Sequence, residues 1–164
     1  MVVTRWGARF MRRRFPCAIG RGGMTDAKRE GDGATPTGVW HIVSAGFRPD
    51  RRAPPAHAPL ALSPLGPHDL WSDDSADPHY NHALFALDHR FSHERLRRAD
   101  PLYDLVLFSD WNWPDASPGH GSAIFVHAWR RPRYPTAGCI AFRPDHLFWI
   151  AEHWTDRSRI IVRR

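Results

Sequence analysis

The chain of 164 residues has little cysteine, no long apolar run and few alanine- or leucine-rich stretches. Its two thiols, Cys17 and Cys139, permit one disulfide but fall far below the density of a disulfide scaffold, so the redox compartment stays open. No run approaches the roughly eighteen apolar residues that a membrane span needs, and none is expected. The opening MVVTRWGARFMRRRF lacks the apolar segment of about 7–15 residues that marks a secretory signal. The expectation is either a cytoplasmic protein, or one whose export signal is of another kind or is not among these residues. Internal repeats and low-complexity tracts are absent. The arginine cluster Arg12, Arg13, Arg14 is short and does not alternate with aromatics as a nucleic-acid module would, so it reads as a solvated strand or turn and no nucleic-acid partner is expected.

What is present favours a sheet protein. Fifteen prolines and twelve glycines punctuate many short apolar segments, and eight tryptophans with nine phenylalanines can fill a sheet-on-sheet core. The length fits one domain, residues 1–164, with a real core. Arginine dominates a formal net charge of +6, which would attract any polyanion, be it nucleic acid, anionic lipid or a carboxylate-rich wall polymer, and does not by itself choose among them.

Along the chain, residues 8–20 read as two short strands or one bent one, and DAKREGDGATPTGVW, 26–40, as a turn-rich loop leading into the strand VWHIV. The proline-rich stretch 48–59 reads as an irregular surface connection. DHRFSHERLRR, 88–98, offers a short helical pattern closed by Pro101. LYDLVLFSDW and SAIFVH are the best strands, apolar on both faces and hence central. Pro144 opens a helix in which Leu147, Ile150, Ala151 and Trp154 share one face, before a last strand at RIIVRR. The expected fold is mainly β, with one or two short helices.

Within IFVHAWRRPRYPTAGCIAF, His127 ends an apolar strand and Cys139 follows twelve residues later, directly after a glycine. A nucleophilic thiol needs a base or cation, access to substrate, and donors for the oxyanion its attack creates. Here His127 supplies the base, Gly138 allows close backbone approach, and the Gly138 and Cys139 amides are candidate donors. The other reading of the same residues is a core strand, Cys139-Ile140-Ala141-Phe142, with an inert thiol.

The block SAIFVH at 122–127 followed by TAGCIA at 136–141 resembles the signature of the L,D-transpeptidase (YkuD) catalytic domain, in which an upstream His and a downstream Gly-Cys form the site. GRGGMTDAKREGDGATPTGVW, 20–40, is similar to that family's early segment, a glycine-rich loop with a T-P-x-G element before a strand. Smaller echoes lie at Trp71-Ser72-Asp73-Asp74 with Tyr80-Asn81, and at Asp100-Pro101-Leu102-Tyr103-Asp104. The resemblance implies a β-sandwich of the YkuD type, Cys139 as nucleophile, His127 as base steadied by a backbone carbonyl near Ala128, and Gly138 in the oxyanion hole. It further implies peptidoglycan stem peptides and glycan strands as partners, a periplasmic or cell-envelope location, acyl transfer through a thioester, carbapenems as candidate acylating agents, and no cofactor. Most members carry His before the Gly-Cys. Here Ala137 stands there, and the His-to-Cys spacing is shorter, which leaves open linkage between two diaminopimelates, linkage from a first stem residue to diaminopimelate, or hydrolysis of such bonds. Trp129, Arg133, Tyr134, Thr136, Tyr80 and Asn81 are the candidate substrate contacts, with Trp111, Trp113, Arg130 and Arg131 nearby in sequence.

Eleven histidines raise a metal reading, since His89 and His93 are spaced i, i+4 on the expected helix, His79 and His82 bracket Tyr80-Asn81, and two such pairs with Asp73 or Glu94 could form a zinc site. The chain has no H-E-x-x-H order, and no metal is expected. The glycine-rich loop 20–38 lacks the Lys-Ser/Thr ending of a phosphate cradle, and Cys17 reads as core.

Overall fold

The computed structural model describes residues 1–56 and 58–164; His57, in the stretch expected as an irregular connection, lies outside the described residues. In chain order the strands are β1 (Val2–Thr4), β2 (Gly7–Phe10), β3 (Arg13–Phe15), β4 (Cys17–Ala18), β5 (Met24–Thr25), β6 (Thr35–Pro36), β7 (Gly38–Trp40) and β8 (Ile42–Phe47). They continue as β9 (Leu62–Pro64), β10 (Asp69–Ser72), β11 (Ala83–Phe85), β12 (His93–Arg95), β13 (Leu105–Ser109), β14 (Phe125–Ala128), β15 (Ile140–Phe142) and β16 (Ile160–Val162). One α-helix, α1 (Pro144–Glu152), and a 3₁₀ turn at Pro101–Tyr103 complete the described elements. The protein is mainly β, as expected.

A five-stranded sheet runs β3-β2-β1-β16-β7 and a six-stranded sheet β4-β15-β14-β13-β8-β9, with a small sheet β11-β10-β12 beside them. The two strands expected to be central, β13 and β14, are buried along their whole length. Their alternation sends side chains into two separate cores. Leu105, Leu107, Val126, Ala128, Ile140 and Phe142 pack with Val3, Trp40 and Ile160 of the five-stranded sheet. Val106, Phe108 and Phe125 face the other way, onto Trp71, Leu96 and Tyr103. Trp71 stacks on Phe108 at 5.3 Å between centroids and meets Phe125 edge-on at 4.9 Å, so the small sheet is clamped onto this second face by aromatic contacts.

Pro144 stands in the first turn of α1, where its missing N–H costs nothing, and Asp145 adds a favourable charge there. Leu147, Ile150 and Ala151 insert into the first core with Trp154 just past the helix end. The helix expected over 88–98 is absent. His93–Arg95 is instead a strand, Trp71 pairing with Glu94 and Ser72 with His93. Helix propensity over so short a segment is worth little against ladder bonds and the burial of Leu96 in the second core.

Candidate active site

Strand register brings His127 and Cys139 together. In the parallel pair β14 and β15, Val126 lies opposite Ile140 and His127 opposite Ala141, so Cys139, one residue before β15, falls beside Phe125. Residues two apart on a strand share a face. Phe125, His127, Cys139 and Ala141 therefore point to the same side of the sheet, with His127 and Cys139 as diagonal neighbours. That side is the second core, whose edge opens into a cleft of about 630 Å³ lined by His127, Cys139, Trp129, Tyr134, Thr136 and Glu94 among others.

The imidazole of His127 is buried and donates from Nδ1 to the Ala128 carbonyl at 2.7 Å. Tyr103 meets it edge-on at 5.3 Å, fixing its plane. Burial holds its pKa down to about 4, outweighing the carbonyl bond, so the ring is neutral with Nε2 as acceptor. The Cys139 thiol receives the Phe125 N–H at 3.3 Å and donates to the Ala123 carbonyl at 3.1 Å. Burial pushes it up to about 12, against the lowering effects of the Phe125 amide and Lys28. The resting pair is a neutral thiol and a neutral imidazole, as suits proton transfer during attack rather than a standing ion pair.

The turn before Cys139 is built by hydroxyls. Thr136 Oγ1 accepts from the Gly138 N–H at 3.1 Å and donates to the Cys139 carbonyl at 2.6 Å. Thr35 Oγ1, from the glycine-rich loop, donates to the Gly138 carbonyl at 2.7 Å. In a trans peptide C=O and N–H point oppositely, so fastening the Gly138 carbonyl to Thr35 turns the Cys139 N–H away from that loop. That N–H lies against its own sulfur and favours the thiolate, whereas the Gly138 amide is occupied by Thr136. Gly138 has φ of +148°, and a Cβ there would lie 3.1 Å from both the Ala34 carbonyl oxygen and Ile124 Cδ1, so this turn calls for glycine.

Trp129, Tyr134 and Thr136 line the cleft together with Arg130. Arg133 does not; its guanidinium reaches the Trp6 carbonyl at 3.3 Å. Tyr80 and Asn81, read from sequence as substrate contacts, need correction to supporting residues, because both are buried and engaged within the chain. Tyr80 donates to Glu30, and the Asn81 amide bonds Trp71 Nε1, the Ala123 N–H and the carbonyls of Trp111 and Asn112. Asn81 thus positions Ala123, whose carbonyl takes the Cys139 thiol. Trp111 packs on Trp40 at 5.9 Å, away from the cleft lining.

Sequence reading gave Lys28, Thr35, Glu94 and Tyr103 no role at the thiol; Lys28 and Thr35 reach it from the glycine-rich segment 20–38, Glu94 from β12 and Tyr103 from the 3₁₀ turn. The polar character of the loops carrying them was visible; which side chains face Cys139 was not. His89 bonds Asp77 at 2.7 Å, and its ring lies 5.5 Å from that of His93. No group of three or more His, Cys, Asp or Glu side chains that could hold a metal occurs among the described residues. Both cysteines are free, Cys17 being buried in β4.

No curated protein and no solved structure matches the chain. Residues 2–162 match YkuD, described as the L,D-transpeptidase catalytic domain. With nearly its whole length covered, the chain belongs to the YkuD family of L,D-transpeptidase catalytic domains.

Proposed function

We propose that the protein is a peptidoglycan L,D-transpeptidase with Cys139 as nucleophile and His127 as its base. The family is one of enzymes that act on peptidoglycan, typically in the cell envelope, and no helix among the described residues is long and apolar enough to cross a membrane. The observation that carries the reading is the placement of His127 and Cys139 on one sheet face, at the edge of a cleft, with Nε2 as the free ring nitrogen.

In this reading Nε2 takes the thiol proton as Sγ adds to the carbonyl carbon of an L-centre in a donor stem. The oxyanion, formed next to Sγ, meets the Cys139 N–H rather than the Gly138 amide, which Thr136 occupies. Collapse breaks the bond to the following D-residue, whose amine leaves with the proton held by His127. An acceptor amine then attacks the thioester and passes its proton to His127. The new amide forms and the thiol is restored, so no cofactor enters the balance. Arg130, Trp129 and Tyr134 at the cleft suit stem carboxylates and sugar faces. Ala137 also lines the cleft and presents only a methyl where most members of the family carry histidine, which leaves the type of linkage open.

The test incubates the protein and its Cys139→Ala variant with muropeptide monomers of several stem lengths and identifies the products by mass spectrometry. Dimers lost in the variant establish transfer, and fragmentation separates a diaminopimelate donor from a first-residue donor. Shortened monomers alone, lost in the variant, point to an L,D-carboxypeptidase or endopeptidase. Identical products from both proteins would remove Cys139 as nucleophile and favour a non-catalytic wall-binding module.

A further inference from the structure

Lys28 is the single lysine among 23 basic residues; every other cation is arginine. It is also buried, its side chain only 4 % exposed, where most arginines of the chain lie at the surface. Its ammonium pairs with the Asp32 carboxylate and donates to the Arg29 carbonyl at 3.1 Å. Asp32 is itself fixed, accepting from the Ala34 N–H at 2.8 Å and the Arg29 N–H at 2.9 Å. An ammonium has three protons. Two are thereby assigned, and the side chain lines the cleft that holds Cys139.

The walls around it explain the residue type. A Cβ on Gly121 would meet Lys28 Cε at 2.8 Å, and one on Gly138 would lie 3.7 Å from Nζ. A compact ammonium fits between these two glycines, whereas the broader guanidinium plane would press on them. The same loop that orients Lys28 supplies Thr35, which holds the Gly138 carbonyl. Cation and nucleophile turn are thus positioned by one structure.

We propose that Lys28 is the electrostatic partner of Cys139, its ammonium held by Asp32 beside the Gly138–Cys139 peptide to stabilise negative charge on Sγ and on the adduct it forms. This rests on Cys139 as the nucleophile. The groups facing the thiol divide by sign. Glu94 from β12 opposes its ionisation and Lys28 favours it, while Tyr103 and neutral His127 complete the wall. Arg98 sits over Tyr103 at 5.0 Å but is paired with Asp100 and Glu94. Lys28 is then the cation that counters Glu94 at the sulfur, and because it is buried its effect resists salt screening.

The experiment measures Cys139 alkylation by iodoacetamide against pH, with peptide mapping to separate Cys17, in the wild type, Lys28→Met and the double variant Lys28→Met/Asp32→Asn. The double variant removes both members of the ion pair, so no carboxylate is left unpaired should the single variant fold poorly. Because burial already sets the midpoint near 12, it is extrapolated from the labelling rate of the folded protein below it, where a rise of about one unit or more, expected in both variants, lowers labelling about tenfold at a fixed pH. Glu94→Gln is expected to lower the midpoint, and Arg157→Gln, an equal charge change on an exposed residue outside the cleft lining, to leave it in place. An unmoved midpoint in folded Lys28 variants would overturn the proposal. Muropeptide acylation of the wild type is read separately. Its absence would count against the transpeptidase reading, while the alkylation profile would still decide the role of Lys28.

Discussion

His127 Nδ1 lies 2.7 Å from the carbonyl oxygen of Ala128, the next residue on its own strand. A carbonyl only accepts, so Nδ1 carries the proton and Nε2 is left to receive one. The ring is thus oriented by the strand itself, with no carboxylate behind it.

The first prediction concerns acid. The folded-state pKa of His127 is lowered to about 4 by burial, against 6.5 for the free side chain. Between those values the unfolded chain binds a proton that the folded chain does not. Stability contributed by the neutral ring is therefore present above about pH 6.5 and lost as pH falls toward 4. At about 1.4 kcal/mol per unit the loss amounts to a few kcal/mol. Thermal unfolding followed from pH 7 to 4 should show a falling Tm, and the fall should be shallower in His127→Gln. An equal slope in the variant would mean that other groups carry the acid sensitivity.

The two thiols should separate by access. Burial raises both, each to about 12, yet Cys139 lies at a cleft while Cys17 is enclosed in the first core. Alkylation of the native protein should mark Cys139 slowly at neutral pH and faster as pH rises, and mark Cys17 only after unfolding. Cys17→Ala should keep muropeptide products unchanged; their loss would assign Cys17 a part in the chemistry.

Gly138→Ala should be destabilising and inactivating together. Its φ of +148° suits glycine, and the added methyl would press on the Ala34 carbonyl and Ile124. Strain of this kind costs on the order of 1–3 kcal/mol, which urea unfolding would register. A variant with unaltered stability and activity would show that the turn before Cys139 tolerates another conformation.

Asn81→Ala tests support at a distance. It leaves Trp71 Nε1 and the Ala123 N–H without their acceptor and the Trp111 and Asn112 carbonyls without their donor. Buried groups so orphaned cost about 1–3 kcal/mol each. The Ala123 carbonyl should then hold the Cys139 thiol less firmly, and kcat should fall more than KM rises. A change confined to KM would return Asn81 to the role of substrate contact.

The sequence by itself determined the local elements whose signals are strong. The continuous apolar runs in Leu105–Ser109 and Phe125–Ala128 mark central strands whatever packs around them, and Pro144 with the spacing of Leu147, Ile150 and Ala151 marks α1. The order His127, Gly138, Cys139 was equally legible as a candidate pair. Segment 88–98 was misread because helical spacing in a short polar stretch is a weak preference, and pairing of Glu94 with Trp71 decided it. Tertiary structure alone decided that His127 and Cys139 share a face, since register between β14 and β15 depends on which residues their two cores accept. It alone turned Tyr80 and Asn81 inward and brought Lys28 and Glu94, of opposite charge, into the cleft of one thiol, because contacts across more than a hundred residues, such as Thr35 to Gly138, follow from packing and not from any local pattern.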